Sequence, residues 1–348
     1  MPQTPDRAGR HGRALPVPGV EGLSDDHRAG PDRRRRHDVS TTPALVAVDW
    51  GTSSFRLWLM SADGTVLAEH RSHEGMSEVA GRGFEAVLES HLGTLSAPEH
   101  LPVVICGMAG SRQGWVEAGY IDTPADVTTI GETATIVPGT ARQIIIIPGL
   151  AVRSDAEPDV MRGEETQLLG AHFDMPGGER YCMPGTHSKW VSMDGSIVTG
   201  FETFMTGELF SVISGKTILK HSTGGDGNVD ANDPAFLTGV RDGWTQPAKT
   251  THHLFSIRAG QLLYDHQAGE NRARLSGLLI GAEFAGAGIR GDEQIGLVAS
   301  GALQRLYHAA LAECGVQVRD IDADVAVRRG LLESWQRFST TNGDVQSR

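Results

Sequence analysis

The stretch Ala44-Leu-Val-Ala-Val-Asp-Trp-Gly-Thr-Ser-Ser54, followed by Phe55-Arg-Leu-Trp-Leu-Met60, decides the fold of this chain. An apolar, β-branched run meets a second strand-like run through Gly-Thr-Ser-Ser, which predicts two strands joined by a tight turn. The same order returns at Arg180-Tyr-Cys-Met-Pro-Gly-Thr-His-Ser-Lys-Trp190. Each copy continues through an Asp-Gly turn, at Asp63-Gly64 and at Asp194-Gly195, into a third strand. The chain therefore contains an internal repeat.

Strands and helices alternate after both copies. Buried strands are predicted near residues 103–106, 143–147 and 294–299. Helices are predicted near residues 83–95, 163–173, 206–220, 253–266, 271–287 and 301–314. This alternation is typical of layered α/β proteins, and a duplication places the ligand in the crevice between the two copies. We therefore predict an α/β fold with two duplicated lobes, each a mixed β-sheet flanked by helices, around a central cleft.

The boundaries of these lobes follow from local composition. The turn-rich Pro176-Gly177-Gly178 indicates a junction between an N-terminal lobe at 43–177 and a C-terminal lobe at 178–338. A flexible tail is expected at 339–348.

The first 42 residues form a different kind of segment. They contain an Arg33 to Arg36 run and no hydrophobic periodicity, so they bury too little surface to offset the entropy of ordering. We expect a disordered extension over 1–42. Because Val39 shortly precedes the first strand, a later translation start is an alternative, with residues 1–38 absent from the native protein.

Charge and composition exclude several classes of function. The chain has 348 residues, with 31 Lys and Arg against 43 Asp and Glu and a net charge of -12. Such an acidic protein is a poor match to nucleic acid or to anionic membranes, and no apolar run is long enough to span a bilayer. The 3 cysteines are far apart, which indicates neither a zinc cluster nor a disulfide framework. We expect a cytoplasmic protein.

The two Gly-Thr turns are the first candidate site. Glycine lets the backbone approach an anion closely, and the neighbouring amides and hydroxyls can donate to phosphate oxygens. One Gly-Thr turn alone is weak evidence, but two could hold a polyphosphate from both sides. Asp49 ends a buried strand just before the first turn, where a carboxylate needs a partner, and binding Mg²⁺ through water would provide one.

A pair of carboxylates opens the predicted helix near 163–173. The sequence there is Met161-Arg-Gly-Glu-Glu-Thr-Gln-Leu-Leu-Gly170. Acidic residues in a first helical turn often serve only the helix dipole. The alternative is functional, because Arg162 could bind an anionic substrate and Glu164 or Glu165 could act as a base for a hydroxyl.

Three other patterns bear on nucleotide binding. Leu297-Val-Ala-Ser-Gly-Ala-Leu303 joins a strand to a helix start whose amides could face a nucleotide. Gly286 to Gly291 matches a dinucleotide-binding pattern but follows a helix, and Gly215-Lys216-Thr217 lacks the first glycine of a P-loop, so neither indicates a site. His187 could donate to phosphate or simply pack at the hairpin edge.

These motifs together resemble a known family, the 2-dehydro-3-deoxygalactonokinases. The resemblance runs from about Ala44 to Gly330, and the blocks Arg-Gly-Glu-Glu-Thr-Gln and Gly-Thr-His-Ser-Lys-Trp are its most specific parts. The other blocks that carry it are Asp49-Trp-Gly-Thr, Gly107-Met-Ala-Gly, Ile147-Pro-Gly-Leu, Met205-Thr-Gly-Glu and Leu275-Ser-Gly-Leu-Leu-Ile-Gly-Ala-Glu.

The resemblance implies a fold and an activity. The family belongs to the superfamily of acetate and sugar kinases, heat-shock ATPases and actin, in which duplicated ribonuclease H-like lobes close over ATP. It implies phosphorylation of 2-dehydro-3-deoxy-D-galactonate at its C6 hydroxyl with MgATP, in galactonate breakdown. The alternatives are a kinase for another 2-keto-3-deoxy sugar acid, such as the gluconate epimer, and a non-kinase actin-like nucleotide-binding regulator. A homodimer is a further expectation.

The resemblance also implies roles for individual residues. Asp49 would organise Mg²⁺, and either Glu164 or Glu165 would be the base. Residues expected to bind ATP and its phosphates are Gly51, Thr52, Ser53, Gly185, Thr186, His187, Ser188, Lys189, Gly301 and Ala302. Residues expected to bind the sugar acid, with Arg112 or Arg162 for its carboxylate, are Arg56, Met108, Ser111, Arg112, Trp115, Arg162, Thr206 and Glu208.

Overall fold

The computed structural model describes residues 41–79, 81–224 and 227–346. Nearly all of the predicted N-terminal extension, and the last two residues of the predicted tail, lie outside these ranges. The strands are β1 Pro43–Trp50, β2 Phe55–Ser61, β3 Val66–Ser72, β4 Val103–Gly107, β5 Tyr120–Asp122, β6 Ala125–Asp126, β7 Thr135–Ile136, β8 Ile144–Ile146, β9 Gly149–Val152, β10 Asp159–Met161, β11 Arg180–Met183, β12 Ser188–Asp194, β13 Ile197–Phe204, β14 Gln294–Ala299 and β15 Gln317–Asp322. The helices are α1 Phe84–Thr94, α2 Glu164–Asp174, α3 Thr206–Lys216, α4 Lys220–Thr223, α5 Pro234–Thr245, α6 Thr250–Tyr264, α7 Ala268–Gly286, α8 Gly301–Glu313 and α9 Ala323–Gln346.

Five strands of each large sheet share one topology, which confirms the predicted duplication, while the sixth strand lies at opposite ends of the two sheets. The first has the order β3-β2-β1-β4-β8-β7 and the second β15-β14-β11-β12-β13-β6. In each, three strands form an antiparallel meander, and the first of them pairs in parallel with a later strand. A third sheet, β10-β9-β5, has three strands. The α/β fold class is therefore as predicted.

Buried side chains from both sheets meet in one continuous core. This cluster joins Ala47 and Val104 of the first sheet to Val191 and Val298 of the second, and it includes side chains of α2 and α9. A second cluster packs α1 on the first sheet, and a third packs α5, α7 and α8 on the second. Among the described helices, none is both long and apolar enough to cross a membrane.

Several elements differ from the sequence-based prediction. The helix predicted at 206–220 is divided into α3 and α4, and the helix predicted from 253 begins at Thr250. The sequence pattern did not predict α5, β15 and α9, together with five short strands. β15 is an edge strand with mostly polar side chains, and α5 contains two glycines, so both depend on tertiary contacts that local propensity does not show. α9 includes residues assigned to the tail, while the lobe boundaries remain a prediction.

Helices α2 and α9 pack backbone against backbone through two glycines. A Cβ added to Gly170 of α2 would lie 1.9 Å from the carbonyl oxygen of Ala326, and one added to Gly330 of α9 would lie 1.9 Å from that of Thr166. No side chain fits at either position unless the helices separate. This contact sets how closely α2, which carries the predicted catalytic carboxylates, approaches α9.

We predict that Gly330→Ala destabilises the protein by about 1–3 kcal/mol, because the new methyl forces α9 away from α2. The matched control is Gly93→Ala in α1, where an added Cβ meets nothing within 4 Å. That control should be neutral or stabilising by about 0.5–1 kcal/mol. Urea unfolding of both variants measures the difference, and equal stabilities would contradict the close packing.

Candidate active site

The first Gly-Thr turn is supported by a segment that the sequence analysis did not identify. The amides of Met76 and Ser77 donate to the carbonyl oxygens of Gly51 and Thr52, at 2.9 and 3.0 Å. Gly75 is required there, because an added Cβ would lie 2.4 Å from the Thr52 oxygen. These bonds fix the turn and occupy two of its carbonyl groups, and the Gly51 amide donates to the Ser54 oxygen at 2.8 Å. Thr52 and Ser53 are exposed, so their hydroxyls are placed to face an anion.

The second turn is supported in the same way by the start of α3. The Glu208 amide donates to the Thr186 oxygen at 3.0 Å, and a Cβ on Gly207 would lie 2.4 Å from the Gly185 oxygen. His187 Nε2 contacts the Glu208 carboxylate at 2.6 Å. Glu208, predicted as a sugar contact, therefore lies at the second turn, where buried Thr206 begins α3.

Asp49 is the penultimate residue of β1 and belongs to a network of ion pairs that reaches helix α9. Its Oδ2 pairs with Arg56, whose guanidinium also pairs with Asp324 of α9. Arg71 binds the other oxygen of Asp324 at 2.6 Å. Burial opposes the charge on Asp324, but Arg71 and Arg56 outweigh it and hold the pKa of that carboxyl below its usual value. Arg56, predicted as a substrate contact, is thus already engaged by two carboxylates.

The carboxyl ends of β1 and β4 and the start of β12 lie near the start of α2. Gly107 is the last residue of β4, with φ 91°, and its added Cβ would lie 2.6 Å from the Trp50 oxygen. Gly163, with φ 105°, lies against Gly107, since its own added Cβ would be 3.4 Å from the Gly107 Cα. Only glycine accommodates both conformations and this approach. The two turns of the backbone bring Glu164 close to the end of β1.

Glu164 has the surroundings expected of a reactive carboxylate. Its Oε2 accepts from the Arg162 amide at 3.0 Å, and its Oε1 lies 3.9 Å from Nζ of Lys189 on β12. It keeps 27% of its side-chain surface exposed. Burial of the carboxyl in the cleft raises its pKa, Lys189 opposes that shift, and the negative charge of Asp49 adds to it.

Glu165 has a different environment from its neighbour. Its side chain is fully buried, with Oε2 accepting from the Gly163 amide at 2.7 Å and Oε1 from the Thr166 hydroxyl at 2.9 Å. Burial, together with the charge of Glu164, raises its pKa to about 8. Glu165 therefore supports the sharp turn at Gly163 and has no exposed surface for a substrate.

The loop expected to face the sugar acid lies between β4 and β5. Arg112 is largely exposed and lies 3.6 Å from Glu117, whereas Ser111 is buried and donates to the Met76 sulfur at 3.4 Å. Trp115 stacks on Phe84 and meets Trp50 edge-on. Met108 begins the short 3₁₀ turn that opens this loop.

The guanidinium of Arg162 is already bound at the end of that loop. Its Nη2 donates to the Gly119 oxygen at 2.6 Å, and the guanidinium lies 4.4 Å from the centre of the Tyr120 ring. Its Nε and Nη1 are buried and have no hydrogen-bond partner among the described residues. Arg162 thus fastens the loop to the start of α2.

A pocket of about 190 Å³ adjoins the second turn. Gly185 and Gly207 line one side, and Ala302, Leu306 and Tyr307 of α8 line another. Gly301, with φ 65°, precedes them at the start of that helix. The structure therefore brings together the predicted second phosphate turn and the predicted adenosine contacts, while its apolar walls suit a flat aromatic base.

A buried network below this pocket was missed by the sequence analysis. Glu283 accepts from Trp190 Nε1 at 2.9 Å and from the Tyr307 hydroxyl at 2.8 Å, and Ser188 bonds to Tyr307 at 2.9 Å. Burial raises the pKa of Glu283, and these donors oppose the shift. The network joins β12 to α7 and α8. Glu283 is the last residue of the Leu275 to Glu283 block of the sequence, but its hydrogen-bond partners are seen only in the folded structure.

Five strands of each sheet have matching topology, and each sheet carries a supported Gly-Thr turn. With Glu164 near Asp49 and Lys189 and an apolar pocket beside the second turn, this arrangement fits a two-lobed kinase. Residues 49–334 match the family model for 2-keto-3-deoxy-galactonokinase. The chain belongs to this family.

Individual proteins agree with the family match. A Rhizobium meliloti protein named as a probable 2-dehydro-3-deoxygalactonokinase is 53% identical over 84% of this chain and 97% of its own length. The Escherichia coli 2-dehydro-3-deoxygalactonokinase is 38% identical over 83% of this chain and 97% of its own length. A crystal structure from Sinorhizobium meliloti, described as a candidate member of the same family, has a TM-score of 0.80 at 52% identity, over 84% of this chain and 98% of that one.

The raised pKa of Glu165 predicts a pH dependence of stability. In the folded protein the pKa of the Glu165 carboxyl is about 8, whereas its ordinary pKa, expected in the unfolded chain, is 4.5. Between these two pH values the folded protein binds a proton that the unfolded chain does not. The stabilising contribution of the Glu165 carboxyl is therefore complete below pH 4.5 and is lost as the pH rises to about 8. We predict that the free energy of unfolding falls over this range and that Glu165→Gln makes the fall shallower. Urea unfolding at several pH values tests this.

The matched control for that experiment is Glu132→Gln, which neutralises an exposed carboxylate. It should leave the pH dependence as in the original protein. A Glu165→Gln variant whose slope equals that of the control would show that Glu165 is ionised at neutral pH.

Proposed function

We propose that this chain transfers the γ-phosphate of ATP to the C6 hydroxyl of 2-dehydro-3-deoxy-D-galactonate, as a step in galactonate breakdown. The observation that carries the proposal is the position of Glu164. It begins α2 between the end of β1, which leads into the first Gly-Thr turn, and Lys189, which follows the second. Membership of the kinase family supports the same reaction.

Glu164 is the proposed base, and Glu165 supports it. A base must reach the hydroxyl of the substrate, and only Glu164 of the two keeps exposed surface. In the reaction, the C6 oxygen attacks the γ-phosphorus, its proton passes to the Glu164 carboxylate, and ADP leaves. Burial raises the pKa of Glu164, which makes its carboxylate a better proton acceptor.

ATP is proposed to bind across the two turns and the adjoining pocket. The adenosine would occupy the pocket beside Ala302, and the phosphates would meet Gly185 and Thr186 from one lobe and Gly51 and Thr52 from the other. Amides and hydroxyls at such turns are suited to phosphate oxygens. They supply positive potential locally in a chain whose net charge is -12.

Mg²⁺ is part of this proposal and fits the residues present. The described residues contain no cluster of three His, Cys, Asp or Glu side chains that could hold a metal alone. A Mg²⁺ bound mainly by nucleotide phosphates and water needs only one or two carboxylates. Asp49 would serve, since only its Oδ2 is paired with Arg56. The ion would neutralise charge on the phosphates.

Arg112 is the proposed contact for the carboxylate of the sugar acid. Its side chain is 82% exposed and lies 3.6 Å from Glu117, whereas the guanidinium of Arg162 is bonded to Gly119 and packed on the Tyr120 ring. A guanidinium can bind a carboxylate through two parallel hydrogen bonds. The homodimer and the cytoplasmic location remain predictions of the sequence.

We predict that Glu164→Gln lowers kcat by roughly 10²- to 10⁴-fold, because a proton acceptor is lost. Glu165→Gln should lower it less, since Glu165 acts through the backbone at Gly163. A coupled assay of ADP release measures both, with Glu132→Gln as the control. Turnover of Glu164→Gln near that of the control would reject Glu164 as the base.

We also predict that ADP release with MgATP depends on a 2-keto-3-deoxy sugar acid and is fastest with the galactonate-derived epimer. Comparing kcat/KM for the two C4 epimers measures the preference. A higher kcat/KM for the gluconate-derived epimer would reassign the substrate. ADP release that needs no sugar acid, with nucleotide-driven assembly, would instead indicate an actin-like regulator.

A further inference from the structure

Lys189 combines a largely buried side chain with unused hydrogen-bonding capacity. The side chain is 6% exposed as a whole. Within the described part of the chain, its one ion-pair partner is Glu164, and their Nζ–Oε1 distance of 3.9 Å exceeds hydrogen-bond length. An ammonium that is attracted by one carboxylate without being bonded to it has donors left for another anion.

The position of Lys189 indicates that this second anion is a phosphate group. Lys189 is the second residue of β12, directly after the turn that contains Gly185 and Thr186. The strand is fixed on both sides of it, because Ser188 and Trp190 are bonded to Tyr307 and Glu283. The ammonium is thus held between the proposed phosphate turn and the proposed base, within reach of the base.

We propose that Lys189 changes partner during the reaction, attracted to Glu164 before nucleotide binds and bonded to the terminal phosphate of ATP afterwards. This inference rests on the proposed function and adds a coupling between nucleotide binding and proton acceptance by Glu164. A phosphate carries more charge than one carboxylate, so it competes successfully for the ammonium. Bound ATP thereby withdraws the cation from Glu164.

The exchange changes how readily Glu164 accepts a proton. The ionisable groups around Glu164 are Lys189 on β12, Asp49 on β1 and the protonated Glu165 beside it on α2, of which Lys189 alone favours the ionised form of Glu164. Once Lys189 turns to phosphate, the carboxylate loses that attraction and holds a proton more readily. Glu164 therefore becomes a stronger base only when the phosphate donor is present.

A double-mutant cycle on nucleotide affinity tests the exchange without using turnover. The dissociation constant of a non-hydrolysable ATP analogue with Mg²⁺ is measured by titration calorimetry for the original protein, Glu164→Gln, Lys189→Met and the double variant. Glu164→Gln should bind the analogue about threefold to thirtyfold more tightly, because the ammonium no longer has a competing partner. Lys189→Met should bind it more weakly by about tenfold or more.

The decisive comparison is the double variant. If Lys189 mediates the effect, Glu164→Gln gives no tightening in the Lys189→Met background. Tightening that persists there would show a general effect of removing negative charge and would overturn the exchange. So would unchanged or weaker binding by Glu164→Gln alone, and that single variant keeps the test valid if Lys189→Met does not fold.

One control variant and one independent readout separate this inference from the proposed function. Glu132→Gln removes an exposed charge outside the proposed site, so it should not change the affinity. If sugar-acid-dependent ADP release is observed but the cycle shows no coupling, the exchange fails and the kinase function stands. If no nucleotide binds to any variant, the proposed function itself fails.

Discussion

The backbone contact between α2 and α9 is the constraint on which the rest of the site depends. Gly170 and Gly330 let the two helices touch without side chains between them. α2 begins with Glu164 and Glu165, while α9 carries Asp324, which pairs with Arg56 and through it with Asp49. One helix pair therefore positions both proposed acidic groups, Glu164 as the base and Asp49 as the carboxylate that would hold Mg²⁺.

Duplication explains why the site has two similar halves with different chemistry. Each sheet presents a Gly-Thr turn that is supported from outside, by residues 75–77 in the first lobe and by Gly207 and Glu208 in the second. Asp49 is the penultimate residue of the strand before the first turn, and the strand after the second turn begins with Ser188 and Lys189. The repeat supplies two turns that we propose bind phosphate, with an acidic residue beside the first and a basic residue beside the second.

Most of the fold could be predicted from the sequence, because it depends on local signals. Alternating apolar runs and the Asp-Gly turns defined the repeated strands, and β14 has the predicted bounds. α5 and α9 were missed because their stability comes from close contact with α7 and α2, which no local pattern reveals.

The candidate site was predictable only in part, for the same reason. The sequence marked Asp49, the two turns and the Glu pair, but it left Glu164 and Glu165 equivalent, and their burial now distinguishes them. Glu283 and the 75–77 segment act through contacts distant in sequence. The most direct test of the account is a crystal structure with a non-hydrolysable ATP analogue and 2-dehydro-3-deoxy-D-galactonate. We predict a Glu164 oxygen about 2.6–3.2 Å from the C6 hydroxyl. A C6 hydroxyl that instead contacts another carboxylate, with Glu164 out of reach, would contradict the account.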